Sequence, residues 1–208
     1  MAAAPQRFRV ILASASSGRL QTLRHAGIDP EVIVSGVDES AIHADTPATL
    51  VGKLAAAKGA AVGALLAPNE HALVIACDSM LELDGHACGK PGTPERAHVQ
   101  WRAMRGRTGL LHTGHHVLLQ RGREQASDTR VATTTVEFAD VSDAEIDAYI
   151  ATGEPLGVAG AFTIDGYGGA FVTRMAGDPH NVVGLSLPLL RDLLADLGVA
   201  YTDLWTHG

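Results

Sequence analysis

Residues 10–19 read VILASASSGR, an apolar run that breaks into a turn of small hydroxylated residues, one glycine and an arginine. The run predicts a buried strand, and the helix expected next, from Leu20 to Ala26, points the positive end of its dipole back at the same turn. Backbone N–H groups and serine hydroxyls at the carboxyl end of a strand, facing a helix N-terminus, form a cradle for phosphate. A serine turn of this kind also satisfies a helix N-cap, so the rest of the chain has to distinguish the two uses.

Strand-like and helix-like segments alternate along most of the sequence. Phe8 to Leu12 and Glu31 to Ser35 read as strands around the short first helix. A long alanine-rich helix is expected from Pro47 to Leu66, with Thr46 as its N-cap and proline at its first position. Ala72 to Cys77 is a continuous apolar strand, followed by Met80 to Leu83 and the Asp84-Gly85 turn of a tight hairpin. Thr93-Pro94-Glu95 opens a helix to Met104. Leu110 to Gln120 and Thr129 to Phe138 are strands on either side of the polar RGREQ turn. Ser142 and Glu145 make a capping box, and a last helix runs from Leu187 or Pro188 to Leu197, stopped by Gly198. The pattern is α/β with a mixed sheet, without internal repeat or linker, and 208 residues suffice for one domain, 1–208, with two lobes.

Several classes of function are excluded by composition. Aromatic residues are 4% of the chain and the formal charge is −7, so neither a stacking platform nor a basic groove for a nucleic acid polymer is expected. An anionic ligand must then be met by a local group of basic residues. No apolar run approaches the roughly 20 residues of a membrane-spanning helix. The opening MAAAPQRF has no leader-like apolar region, and Cys77 and Cys88 form no CxxC pair, which together suggest a cytoplasmic protein.

Asp38-Glu39 follows the second strand and Asp78-Ser79 follows the strand ending at Cys77. Ligands of open α/β sheets bind beyond the carboxyl ends of strands, which would bring both acidic positions to the Ser14 turn. Two acidic sites beside a phosphate cradle imply a divalent cation, Mg²⁺ or Mn²⁺, with water and phosphate oxygens completing the shell, whereas Asp38 and Asp78 taken singly would read as turn caps. Lys90 is held between Gly89 and Pro91; Lys53 and Lys58 lie on different faces of the long helix, so at most one of them points squarely into a site. His112 and His116 share one face of a strand and His115 the other, an arrangement that gives zinc no three ligands without a bend. Cys77 is expected to pack as a small core residue.

Taken in order, LASASSGR at 12–19, VDES at 37–40, LAAAKG at 54–59, ACDSM at 76–80, GKP at 89–91, GEP at 153–155, AGAFTIDGYGG at 159–169 and NVVGLSLPLL at 181–190 resemble the Maf, or septum-formation-protein, family of nucleoside triphosphate pyrophosphatases, from Val10 to Leu194. The resemblance implies hydrolysis of a nucleoside triphosphate to the monophosphate and pyrophosphate with a divalent metal. It also implies an elongated mixed α/β fold with a central cleft, like that of inosine triphosphate pyrophosphatases, and a homodimer. Carried over by position, Ser14, Arg19, Glu39, Lys58, Asp78 and Lys90 match family site positions. Asp78 would activate water as proton acceptor or metal-linked base, Glu39 would help it hold the metal, and Arg19, Lys58 and Lys90 would neutralise the triphosphate and the departing pyrophosphate. A non-catalytic, nucleotide-binding regulator of septum formation is the alternative implied by the same resemblance, and a phosphatase acting on sugar phosphates or monophosphates at the same cradle is a third reading.

The chain departs from the family pattern in three places. Ser16-Ser17-Gly18-Arg19 stands where Ser-Pro-Arg-Arg is usual, so one expected arginine is a glycine. Ala76-Cys77-Asp78-Ser79 replaces Gly-Ala-Asp-Thr and keeps the acid and a hydroxyl. Phe162-Thr163-Ile164-Asp165-Gly166 replaces Tyr-Gly-Ile-Gln-Gly, placing the carboxylate of Asp165 where pyrimidine-preferring members carry an amide. An ionised carboxylate accepts hydrogen bonds and donates none, so Asp165 suits donor edges such as N1–H and the amino group of guanine better than the O4 carbonyl of uracil or thymine.

Overall fold

The computed structural model describes residues 8–206. Residues 1–7, on which the expectation of no leader partly rests, and 207–208 lie outside the described residues. In chain order the elements are β1 (Arg9–Leu12), α1 (Ser17–His25), β2 (Glu31–Val32), α2 (Pro47–Gly63), β3 (His71–Leu83), β4 (His86–Cys88), α3 (Pro94–Met104), β5 (Thr108–Arg121), β6 (Glu124–Phe138), α4 (Asp143–Ala151), β7 (Val172–Ala176), α5 (Pro179–Val183) and α6 (Leu187–Asp196). The described strands form one mixed sheet in the order β2-β1-β3-β5-β6-β7, with β4 paired to β3. β1 runs parallel to β2 and β3, and the remaining pairings are antiparallel. This is the expected mixed α/β sheet with flanking helices. No described helix is long and apolar enough to cross a membrane.

Local chemistry sets most of the boundaries. Thr46 and Thr93 accept hydrogen bonds from the third backbone N–H of their helices, each followed by proline. The Ser142–Glu145 capping box is formed in both directions. Asp84 (φ 51°) and Gly85 (φ 79°) take the left-handed conformations that a two-residue hairpin turn demands.

Four expectations need correction. Ser16, accepting from the Arg19 N–H, is the cap of α1, which therefore begins at Ser17 and places Arg19 inside its first turn. β2 stops at Val32 instead of Ser35: the Ile33 N–H still donates to Leu12 O, but β1 then turns away and leaves no further partner. The long helix ends at Gly63, short of Leu66. Most consequential, Asp78-Ser79 does not follow a strand. β3 continues through it to Leu83 because β5 pairs with it along the whole length, Asp78 lying opposite Gly114. β1, by contrast, last meets β3 near Ile75, where the Ala13 N–H donates to Ile75 O. Asp78 thus sits in mid-strand at the point where the neighbouring strand leaves. β7 and α5 had no counterpart in the sequence reading.

α2 lies on one face of the sheet and α6 on the other. Ile11, Ala72, Val74, Ala76 and Leu118 of the sheet pack beneath α2, against its Val62. Leu73, Ile75, Cys77 and Val117 pack beneath α6 with Leu190, Leu193 and Leu194. A further cluster around Trp101, Phe138, Tyr149 and Phe162 joins α3 and α4 to the far end of the sheet. The approach of α2 is unusually close: a Cβ on Gly114 would lie 2.2 Å from Val51 O, and one on Gly59 2.1 Å from the His116 ring. Only hydrogen fits at these contacts, and the closeness brings the middle of α2 down onto β3.

The three histidines of β5 divide as the two-residue period requires. His116 faces α2, while His115, fully buried, faces the other side and accepts from the Ser186 N–H at 2.7 Å through Nε2. Since Nε2 accepts, the ring proton sits on Nδ1 and donates to Thr113 O at 3.0 Å. Burial, the largest influence, pushes this imidazole down from 6.5 to about 4. The unfolded chain therefore binds a proton across that window that the folded chain refuses. The stability that goes with a neutral His115 is complete above pH 6.5 and falls away toward pH 4, by about 3 kcal/mol. Urea unfolding at pH 7.5 and 4.5 is expected to show this loss in the native chain, and a loss smaller by roughly that amount in His115→Gln, which keeps an acceptor for Ser186 without titrating.

Candidate active site

A cleft of about 760 Å³ opens where β1 leaves β3, within the roughly 300–1,000 Å³ range of small-molecule sites. Ser14, Arg19, Glu39, Lys58, Asp78, Lys90 and Asp165, which come from six separate stretches of sequence, all line it. Asp38 does not belong with them: it caps the short turn Glu39–Ala41, accepting from the Ser40 N–H and hydroxyl, and so turns Glu39 toward the cleft. Lys53 is directed away, donating to His43 O at 3.1 Å.

Lys58, on the face of α2 pressed against the sheet, donates to Asp78 Oδ1 at 2.5 Å and pairs with Glu39 Oε1 at 2.7 Å. The lysine and Asp78 side chains are each 12% exposed and Glu39 is 56% exposed, so the ammonium is enclosed on one side and open on the other. One positive charge facing two carboxylates leaves an excess negative charge at the mouth. The donors there are hard oxygens, and among the described residues no group of three His, Cys, Asp or Glu side chains could hold an ion. Two carboxylates with room for water and phosphate oxygens fit Mg²⁺ or Mn²⁺, which take an incomplete protein shell, and do not fit a structural zinc centre.

Arg19 is buried, and among the described residues no carboxylate pairs with it. Its Nε donates to Gly184 O at 2.8 Å, Nη1 to Cys77 O at 2.8 Å and Ser14 Oγ at 3.0 Å, and Nη2 to Ser79 Oγ at 2.9 Å. Four of the five guanidinium N–H groups are thereby engaged by uncharged acceptors while the full positive charge remains. Ser14 Oγ also accepts from the Ser16 N–H, so both its lone pairs are occupied and its O–H is left to donate. The Ser79 hydroxyl differs. Thr113 donates its single hydroxyl proton to Asn181 O, hence Ser79, 2.9 Å away, must donate to Thr113. Ser79 is accordingly a structural link between Arg19 and the opposite face of the sheet.

Lys90 is exposed on the loop after β4, with no ion pair among the described residues. The Gly89 carbonyl accepts from Gly160 N–H and Gln100 Nε2, which ties that loop to the cleft wall. Asp165 lies exposed on the rim of the same cleft. A Cβ at Gly18 would meet Val183 Cγ1 at 3.2 Å, so a larger residue there would have to lie across Val183, itself part of the lining.

Two groups escaped the sequence reading. The link of Ser79 to Asn181 through Thr113 is one: Thr113 stands in no quoted motif, and the three meet only because β3, β5 and α5 pack together. Glu154, read only as part of a GEP triplet, accepts four hydrogen bonds beside the loop that bears Asp165. A carboxylate flanked by glycine and proline gives no sign of such a role.

Arg19→Lys tests the clamp. A lysine offers three protons at one point and cannot reach Ser14, Cys77 O, Ser79 and Gly184 O together. At least one buried carbonyl would lose its donor, so urea unfolding is expected to show a loss of about 1–3 kcal/mol.

The comparisons agree with the geometry. A sequence model of the family described as "Maf-like protein" matches residues 9–197. A Cutibacterium acnes protein named "Nucleoside triphosphate pyrophosphatase" is 52% identical over 199 residues, covering 94% of this chain and 93% of its own. A Streptomyces coelicolor protein of the same name is 55% identical over 200 residues, with 96% and 95% covered. The structure of the Staphylococcus aureus Ham1 protein overlays with a TM-score of 0.43 at 15% identity, covering 94% of this chain and 93% of that one, and no argument rests on it. With the family matched over nearly its whole length and relatives identical at more than half of the aligned positions, this chain belongs to the Maf-like protein family.

Proposed function

We propose that this chain hydrolyses nucleoside triphosphates at the α–β anhydride bond, releasing a nucleoside monophosphate and pyrophosphate. The observation that carries the reading is the two kinds of cation lining the cleft: Lys58, paired with two carboxylates, and Arg19 and Lys90, which no carboxylate among the described residues pairs. The names of the curated relatives support it.

On this reading the triphosphate lies along the serine turn and the first turn of α1, whose dipole and free N–H groups favour an anion. Ser14 donates its hydroxyl to a phosphate oxygen. Arg19 contributes its charge through its fixed position more than through new hydrogen bonds, and Lys90 closes over the departing pyrophosphate from its tethered loop. Asp78, with Oδ1 held by Lys58, presents Oδ2 to take the proton of the attacking water. The Lys58 ammonium keeps that carboxylate in place. Glu39 and Asp78 would hold Mg²⁺ or Mn²⁺; when bound, the ion supplies charge neutralisation at the phosphates and lowers the pKa of a coordinated water. Positioning and electrostatic stabilisation suffice for phosphoryl chemistry of this kind. The reading carries with it a cytoplasmic, homodimeric enzyme acting on the free nucleotide pool.

Purified protein with Mg²⁺ or Mn²⁺ is expected to convert triphosphates to monophosphate and pyrophosphate in equal amounts, with Asp78→Asn lowering kcat at least about 100-fold. Inorganic phosphate as product, or tight nucleotide binding without turnover, would count against it. Asp165 on the rim predicts that guanine nucleotides are used in preference to UTP and dTTP, since its carboxylate accepts from guanine N1–H and the exocyclic amine. A ranking led by UTP and dTTP would remove that part of the reading.

A further inference from the structure

Ile164 and Asp165 reach the cleft from a loop, Thr163–Gly168, that belongs to no strand or α-helix and runs into the 3₁₀ turn Tyr167–Phe171. One side chain fastens it at several points. Glu154 Oε1 accepts from the Thr163 hydroxyl at 2.6 Å, the Tyr149 hydroxyl at 2.8 Å and the Gly168 N–H at 3.0 Å, and Oε2 accepts from the Tyr167 N–H at 2.9 Å. The Tyr149 oxygen in turn accepts from the Thr163 N–H at 3.3 Å. The loop is thus fastened at both ends, Thr163 and Tyr167-Gly168, with Asp165 at its free crest.

Three features show that the fastening is specific. Among the described residues no lysine, arginine or histidine pairs with Glu154, so its negative charge is balanced by these donors alone. Burial raises the affinity of this carboxyl for a proton, but the bonds from Thr163, Gly168, Tyr167 and Tyr149 outweigh it and hold the group ionised. The loop is also wound too tightly for side chains at its glycines: a Cβ on Gly166 would lie 2.3 Å from Glu154 Oε2, and one on Gly168 2.4 Å from the Tyr149 hydroxyl. Tyr149 is anchored from below, buried edge-on against Trp101 and Phe171. No hydrogen bond or ion pair joins these groups to Ser14, Arg19, Lys58 or Asp78, which stand on the turn after β1, on α1, on α2 and on β3.

We propose that Glu154 is a positioning residue for base selection: as an ionised acceptor it holds the Thr163–Gly168 loop and sets where Ile164 and Asp165 meet the base of the nucleotide. The proposal rests on the reading of the cleft as a nucleoside triphosphate site and separates two parts of it. The phosphate cradle is built without Glu154, and the base-facing rim is built through it. An amide cannot replace the carboxylate, because a glutamine that keeps its oxygen for Thr163, Tyr149 and Gly168 turns its NH₂ against the Tyr167 N–H.

The experiment compares native chain and Glu154→Gln on GTP and UTP, and measures inhibition by inorganic tripolyphosphate, which has no base. The GTP-to-UTP ratio of kcat/KM is expected to fall about tenfold, mostly through KM, while the tripolyphosphate inhibition constant moves less than about twofold. Thr163→Val and Tyr149→Phe each delete one donor to Glu154, should move the ratio the same way by a smaller factor, and carry the test if Glu154→Gln does not fold. An unchanged ratio, or a ratio and an inhibition constant that shift by the same factor, would overturn the proposal. Asp165→Ala separates its failure from that of the underlying reading. If Asp165→Ala collapses the ratio and Glu154→Gln does not, the base-reading role of Asp165 stands and the positioning role of Glu154 is lost. If Glu154→Gln alone collapses it, the loop is positioned as proposed and selects through Ile164 rather than the Asp165 carboxylate. If neither moves it, both are lost.

Discussion

The buried guanidinium of Arg19 joins three of the chain segments that meet at the cleft. It reaches the serine turn at Ser14, the middle of β3 at Cys77 O and Ser79, and the corner before α6 at Gly184 O. Each acceptor is an uncharged oxygen that would otherwise face the interior without a donor, which is costly. The same bonds fix the orientation of the Ser14 hydroxyl and, through Ser79 and Thr113, the Asn181 carbonyl. One charge, kept free of carboxylates, therefore both closes the structure and makes the cleft attractive to an anion.

Beside it stands a second arrangement with the opposite logic. Lys58 is paired with two carboxylates, and the pairing depends on how closely α2 approaches β5. Gly114 against Val51 and Gly59 against His116 bring the helix down far enough for an ammonium on α2 to meet a carboxylate on β3. A side chain at either glycine would lift the helix, and with it the lysine. The two cationic groups thus differ in function because of their neighbours: one has its charge balanced by acids, the other does not.

Much of this was legible in the residues. The caps at Thr46, Thr93 and Ser142, the Asp84-Gly85 hairpin and the opposite faces of His115 and His116 follow from local rules, and they stand in the structure where those rules place them. The candidate site residues were named from strand-end carboxylates, a constrained lysine and the family resemblance, and all seven line one cleft. Asp78 shows where local reading fails. Its polarity after an apolar run suggested the end of a strand, yet twelve ladder pairs with β5 carry β3 through it. Pairing with a partner more than thirty residues away overrides a local break, and no window of sequence contains that partner. Glu154 was illegible for the same reason: its importance lies in donors supplied by Tyr149, Thr163, Tyr167 and Gly168, whereas its own neighbours are a glycine and a proline.

The sequence by itself determined the α/β alternation, the helix caps and turns, and the set of charged residues available for phosphate chemistry, since these depend on side-chain type and short-range geometry. The tertiary structure alone decided which of those charges are paired. Lys53 and Lys58 are five residues apart on one helix, and only the packing of that helix on the sheet makes the second the partner of Asp78 and Glu39 while the first meets a backbone carbonyl. Coulomb energies and hydrogen bonds vary over a few ångströms, and separations of that size between distant segments are set by packing, which is a property of the folded chain as a whole.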